Sequence, residues 1–265
     1  MRYPNINPVL VNLGTMQIRW YGLMYIIGFV CAFFVIVRIS RNRHNGLKKK
    51  DIEDLLSLCL LGLVLGARLG YCVFYNLSYY LSNPLKTFAV WEGGMSFHGG
   101  IVGLLISGWI FSVSRDKPLL MLADIGAVAA PPGLFFGRIG NFINGELFGR
   151  ITNVPWGMIF PRGGPLPRHP SQLYEAFFEG IVLFLMMYAL SFRTKVHGTL
   201  FACFLIFYGV MRFCLEYFRE PDAQLGFVLS TFTMGQILCV AMVCLGIMLL
   251  LYNKVQIGKK DPDLE

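Results

Sequence analysis

Long apolar runs separated by short polar connections set the pattern of the chain. They lie at about Trp20–Val37, Leu55–Tyr75, Gly94–Val113, Leu119–Phe136, Tyr174–Ser191, Gly198–Leu215 and Thr231–Tyr252. A helix needs roughly 20 predominantly apolar residues to cross a bilayer. The pattern therefore predicts an all-α polytopic membrane protein with about seven transmembrane helices. Basic residues fall unevenly between the runs. One set of connections carries Arg38, Arg41, Arg43 and Lys48 to Lys50, then Arg115 and Lys117, then Arg193 and Lys195, and finally Lys254, Lys259 and Lys260. The opposite set holds Lys86 as its lysine. The positive-inside rule then places the N-terminus outside and the C-terminus in the cytoplasm. Arg138, Arg150, Arg162, Arg168 and Arg219 run against that bias and call for a functional reason.

Composition strengthens this class. Of 265 residues, 55% are hydrophobic and only 14% charged, which is too apolar for a soluble domain of this size. The net charge of +8 would suggest nucleic acid in a soluble protein, but basic residues clustered between spans are explained by topology, so no nucleic-acid partner is expected. Cys31, Cys59, Cys72, Cys203, Cys214, Cys239 and Cys244 all lie in apolar stretches, with neither a metal spacing nor a disulfide framework. They read as small core or lipid-facing residues. The N-terminal stretch lacks a basic segment followed by an apolar run and a small-residue cleavage site, so no removable signal peptide is expected. Residues 1–265 read as a single domain.

The densest chemistry is Gly137-Arg138-Ile139-Gly140-Asn141-Phe142-Ile143-Asn144-Gly145-Glu146-Leu147-Phe148-Gly149-Arg150, at the end of the fourth run. A guanidinium at a membrane boundary is costly and normally has a partner. Pro131-Pro132, just upstream, removes backbone donors and predicts a broken or kinked helix. Broken helices at membrane depth are tolerated where they line a cavity, and a half-helix N-terminus favours an anion. The stretch is thus either a membrane-embedded anion site or a glycine-rich loop in which Arg138 pairs with Glu146.

Three further clusters matter. Trp91-Glu92-Gly93-Gly94-Met95-Ser96-Phe97-His98-Gly99-Gly100 opens the third span, and His98 is either a proton acceptor or a packed core histidine. Tyr208, Arg212, Glu216 and Arg219 share one helical face. They form either a closed ion-pair ladder or, with Arg138, a phosphate site whose forked guanidinium donors match phosphate oxygens. His169-Pro170-Ser171-Gln172-Leu173-Tyr174-Glu175 leads into the fifth span, where Ser171 is placed to cap the helix with Glu175 early in it. Arg68 and Asp124 are intramembrane charges that read as partners. Trp20-Tyr21 suits interfacial anchoring or, for Tyr21, ligand contact. Arg150–Pro170, rich in proline and glycine, reads as an ordered surface loop or lid.

These motifs, Gly-Arg-x-Gly-Asn-Phe-x-Asn-x-Glu-x-x-Gly above all, resemble the prolipoprotein diacylglyceryl transferases of bacterial inner membranes. Gly93–Gly100, His169–Glu175 and Tyr208…Arg212…Glu216…Arg219…Pro221-Asp222 fit the same family, and the resemblance covers essentially the whole chain. It implies transfer of an sn-1,2-diacylglyceryl group from phosphatidylglycerol to the lipobox cysteine thiol of a preprolipoprotein signal peptide, releasing glycerol phosphate. This would be the first step of bacterial lipoprotein maturation, in the inner membrane and on its outer side. The resemblance implies no cofactor and no metal. By position it makes Arg138 and Arg212 the phosphate-binding residues and His98 the candidate base. Asn141, Asn144, Glu146 and Gly149 would shape the head-group pocket, while Tyr21, Tyr208 and Glu216 orient the arginines or the lipid. The region of about residues 138–173 would be the outer lid.

Two other classes compete with this one. A transporter or flippase for an anionic lipid would use the same arginines, yet its mark of paired interrupted helices in two related halves is missing from the sequence. An intramembrane hydrolase needs a nucleophile and base, and His44, His98, His169 and His197 supply no such pairing. Ser171 also lacks a glycine-flanked elbow. Topology gives the first test. Reporter fusions in the Arg41–Lys50 connection are expected to read as cytoplasmic and those in Arg150–Pro170 as external; a cytoplasmic signal from the latter would invert the arrangement.

Overall fold

The computed structural model describes residues 1–4, 6–14, 16–43, 45–220, 227–228 and 232–260. His44, Pro221, Asp222 and Thr231 lie outside the described residues. Helices α1 (Trp20–Arg43), α2 (Lys49–Tyr75), α3 (Leu77–Ser82), α4 (Phe97–Ser114), α5 (Leu119–Ile143), α6 (Ser171–Ser191), α7 (Thr199–Leu215) and α8 (Met234–Lys260) carry the chain. Among the described residues six of these are long and apolar enough to cross a membrane, and α7 is a shorter apolar helix. Among the described residues, all seven apolar helices expected from the sequence are thus present, six of them long enough to span, and the protein is a multi-pass all-α membrane protein. Two short antiparallel pairs lie outside the spans, β1 (Val9–Leu13) with β2 (Met16–Arg19) and β3 (Phe227–Val228) with β4 (Phe232–Thr233).

The chain forms two compact units, Met1–Arg43 with Asp124–Glu265, and His44–Ala123. In the second, α2 lies against α4 along a seam of small residues. A methyl added at Gly66 would strike the Gly99 carbonyl and come within 2.8 Å of the Gly103 Cα. Such seams let helix backbones approach closely where lipid removes the hydrophobic drive for association. Ser96 caps α4, accepting from Gly99 N at 3.2 Å, and its own N–H donates to Ala67 O at 2.8 Å. Of the glycines flanking His98, Gly94, Gly99 and Gly100 are therefore used in packing, against Tyr71, Gly66 and Leu63.

In the first unit Ile39, Ala127, Val128, Leu183, Met187 and Leu200 form a fully buried core. The expected break at Pro131-Pro132 does not occur. Helix α5 runs from Leu119 to Ile143 with both prolines inside it. Ala127, Val128 and Ala129 just before them are buried, so the backbone that loses its donors lies within protein rather than lipid, where such prolines are tolerated. Arg138 consequently projects from a continuous helix.

Arg68 and Asp124, expected to pair, each have partners within their own unit. Arg68 donates to the carbonyls of Lys86 (2.6 Å), Thr87 (2.9 Å), Gly94 (3.2 Å) and Gly93. Asp124 accepts from Gly198 N (2.9 Å) and Phe201 N (2.8 Å) and pairs with Arg43 at 3.6 Å. It thereby caps the positive end of α7.

Candidate active site

Three segments of the first unit bring charge together. Arg138 comes from α5, Glu175 and Glu179 from α6, and Arg212, Glu216 and Arg219 from the end of α7 and the turn after it. Arg138 Nε lies 2.7 Å from Glu175 Oε2, and its Nη2 lies 3.7 Å from Glu179 Oε2. Arg212 Nη1 lies 2.8 Å from Glu175 Oε1 and 3.5 Å from Glu179 Oε1, while its Nη2 donates to Glu216 Oε2 at 2.8 Å. Arg219 Nη1 approaches Glu175 Oε1 at 3.6 Å. Thr233 Oγ1 donates to Glu216 Oε1 at 3.0 Å, fixing that carboxylate from β4.

Glu175 and Glu179 are four residues apart on α6, so they share one face and reach the same arginines. Helix α6 starts as an α-helix at Ser171–Glu175, widens to a π-helix over Ala176–Val182 and narrows again at Leu183–Ser191. Widened turns of this kind are uncommon and recur at functional sites. Gly180 within it abuts Phe135 so closely that a Cβ would sit 2.6 Å from the Phe135 Cβ, which seats α6 against α5. The carboxylates lie deepest, with Glu175 and Glu179 side chains 1% and 0% exposed against 17% for Arg138 and 13% for Arg212. The acids thus hold the guanidiniums from behind, and the open edge belongs to the arginines.

Beside this cluster Glu146 gathers amides. Asn141 Nδ2 and Asn144 Nδ2 each donate to its Oε1 at 3.0 Å, and Gln172 Nε2 donates to its main-chain carbonyl at 2.6 Å. Glu146 is therefore the partner of asparagines, and Arg138 looks to Glu175. Tyr21 packs on the same turn of α5, since a Cβ at Gly140 would lie 2.9 Å from its ring, and its hydroxyl lies 3.2 Å from that of Tyr25.

A family comparison covers nearly all of this chain. Residues 8–252 match the family model described as prolipoprotein diacylglyceryl transferase. The chain belongs to that family. A relative from Geobacter sulfurreducens named phosphatidylglycerol–prolipoprotein diacylglyceryl transferase is 53% identical over 259 residues, covering 97% of this chain and all of its own. Relatives of the same name from Nitratidesulfovibrio vulgaris (strain DP4) and Pseudoalteromonas translucida are each 47% identical. They cover 94% and 98% of this chain and 95% and 97% of their own lengths.

The remaining motif positions of this diacylglyceryl transferase family member divide by place. Tyr208 sits one turn before Arg212, stacked on Phe204. Gly149 lies at a backbone crossing. Its N–H donates to His169 O at 2.8 Å, and a Cβ there would meet the Phe218 carbonyl and come within 2.8 Å of His169 Cβ. Ser171 does not cap α6, because its hydroxyl donates instead to Leu147 O at 3.0 Å. His98 is exposed at the start of α4, in the other unit. The loop after α5 is ordered: Phe160 is fully buried among the rings of Tyr3, Phe142 and Phe148, and Tyr3 Oη donates to Phe142 O at 2.6 Å. Trp156 Nε1 donates to Tyr174 Oη at 2.5 Å, and the same hydroxyl lies 3.2 Å from His169 Nδ1. Burial holds the His169 pKa below the usual histidine range. These rings, with Phe178 and Phe218, line an apolar cavity of about 260 Å³.

Sequence reading missed Glu179 and the central place of Glu175. The available signal was a pair of acids inside an apolar run, which is costly unless partnered. Glu175→Ala is expected to lower stability by about 3–5 kcal/mol, because it leaves buried guanidiniums uncompensated. The measurement is the thermal unfolding midpoint in detergent, and an unchanged midpoint would contradict the network's structural weight.

Proposed function

We propose that this chain transfers the sn-1,2-diacylglyceryl group of phosphatidylglycerol to a lipobox cysteine of a preprolipoprotein, from the outer side of a bacterial inner membrane. Both units would work as one transferase domain. The observation that carries the reading is the pair Arg138 and Arg212, oriented from behind by buried carboxylates in a chain of this family. The thiolate sulfur attacks the glyceryl carbon that bears the phosphate ester oxygen. A sulfur–carbon bond forms, that carbon–oxygen bond breaks, and glycerol phosphate leaves with the electron pair. Charge grows on the leaving phosphate oxygen, and preorganised guanidinium donors stabilise it more in the transition state than in the ground state.

The cluster is balanced in formal charge, so an anion is held by directed donors rather than by net positive field. Each guanidinium has five N–H groups, and the carboxylates engage only part of them. The nucleophile comes from the peptide, which accords with free cysteines that lie in the apolar helices of this chain. A free thiol has a pKa of about 8.5 and gains reactivity from a base or a nearby cation. His98 is the candidate base on chemical grounds. A transporter using the same arginines would leave both lipid and peptide unchanged.

Two variants test the reading. Arg138→Ala is expected to abolish thioether formation on a cysteine peptide, by about 10²-fold or more, while the protein remains inserted. Arg138→Lys is expected to stay poor, because one ammonium does not reproduce the fork. Substantial turnover by purified Arg138→Ala would end the assignment. His98→Gln is expected to lose roughly 10²–10⁴-fold at every pH up to the free-thiol value, as removal of a general base requires. Recovery as pH rises toward about 8.5 would instead assign thiolate formation to the arginine field.

A further inference from the structure

Arg68 lies in the apolar part of α2 and is buried. A charge inside a span is costly, so its surroundings show what it is kept for. Here they are the approach to α4. The guanidinium joins two separate stretches of main chain, Lys86-Thr87 and Gly93-Gly94, and the Tyr80 ring covers it with its centroid at 5.2 Å. Gly93 and Gly94 have φ of +84° and +73°, a left-handed backbone that glycine adopts freely and that turns two successive carbonyls to one guanidinium. A Cβ at Gly94 would lie 3.0 Å from Arg68 Nη1 and 2.6 Å from the Tyr71 ring. The contact closes only because that atom is missing.

The next contacts along the chain fall on the same turn of α2. Ser96 N donates to Ala67 O at 2.8 Å, and Ser96 Oγ caps α4 by accepting from Gly99 N at 3.2 Å. Gly99 in turn fits against Gly70, where a Cβ would come within 2.8 Å of the Gly99 Cα. Residues 93, 94, 96 and 99 are thus held by Ala67, Arg68, Gly70 and Ser96, the first three within about one helical turn. His98 sits between these holds. Its ring is exposed and meets Phe97 edge-on at 5.8 Å. With no burial to fix it, the imidazole takes its place from the backbone that carries it. Among these holds, Arg68 and Ser96 are the ones that act through polar side chains.

We propose that Arg68 is a positioning residue for His98, with Ser96 as the second hold on the same turn. The inference rests on the transferase reading above and on His98 as its base. In this role Arg68 contacts neither lipid nor peptide. It keeps the first turn of α4 in one place, so that the imidazole meets the thiol proton at hydrogen-bond range. A displacement of about 1 Å at a reacting group can cost roughly 10²-fold in rate. Lysine does not replace the fork, because a compact ammonium on a single stem cannot reach both stretches of main chain.

The test is a double-mutant cycle on the purified full-length protein, with phosphatidylglycerol and a cysteine peptide. Arg68→Lys is expected to lower kcat by roughly 10- to 100-fold with the lipid KM little changed, since Arg138 and Arg212 stay in place. In the His98→Gln background the same change is expected to cost less than about twofold, because no base is left to misplace. Ser96→Ala is expected to give a smaller loss that also vanishes in His98→Gln. Equal fold-losses in the two backgrounds, for either substitution, would overturn the proposal by marking a merely structural role. An unchanged kcat in Arg68→Lys would overturn it too. Should Arg68→Lys fail to fold, the Ser96→Ala cycle decides: a loss that vanishes in His98→Gln supports the hold, and any other result overturns it. Full turnover by His98→Gln would remove the base and this proposal together while leaving the transferase reading standing. No thioether from the wild type would remove all three.

Discussion

Everything in the first unit is arranged around the need to keep Glu175 charged in a place where charge is costly. Its carboxylate is 1% exposed, and guanidiniums from two other segments meet it at 2.7, 2.8 and 3.6 Å. A buried ion pair does not stabilise a fold by its mere presence, since desolvation offsets much of the attraction. What it does is penalise every arrangement in which one partner is missing. Helix α5, helix α6 and the end of α7 are thereby tied to one geometry. The two short strands at Phe232–Thr233 and Phe227–Val228 sit on the same tie, because Thr233 donates to Glu216.

That constraint also makes the site ready before a ligand arrives. Arginines on flexible stems lose much freedom when they grip a phosphate. Here the acids behind them have already removed it. The arrangement resembles a metal centre in its logic, with outer partners orienting the groups that touch the ligand.

Much of this was readable in advance. The seven spans follow from hydropathy alone, and the Gly137–Gly149 motif announced itself by polar density beside an apolar run. Other parts were hidden for identifiable reasons. A period of 3.6 residues does not foresee the π-helical turns at Ala176–Val182, and although Glu175 and Glu179 are four residues apart and so share a face, nothing in their spacing names Arg138 and Arg212, from two other helices, as their partners. Pro131-Pro132 looked like a break because proline costs a helix its donors, but burial in a bundle overrides that local rule. Arg68 and Asp124 looked like partners because both are charges in spans. Main-chain carbonyls and a helix N-terminus turned out to be the competing, nearer claimants.

The π-helical segment has a consequence for how α6 tolerates change in length. A π-turn holds about one residue more than an α-turn, so losing one residue between Ala176 and Val182 is absorbed as the wide turns narrow, and the flanks keep their register. An α-helix turns by about 100° per residue, so losing one residue between Leu183 and Ser191 instead rotates all that precedes it, Glu175 and Gln172 included. The helix therefore behaves as two keyed shafts joined by a one-residue shim. Substitutions along its lipid face leave the key untouched, whereas a single codon deletion outside the shim turns the lock.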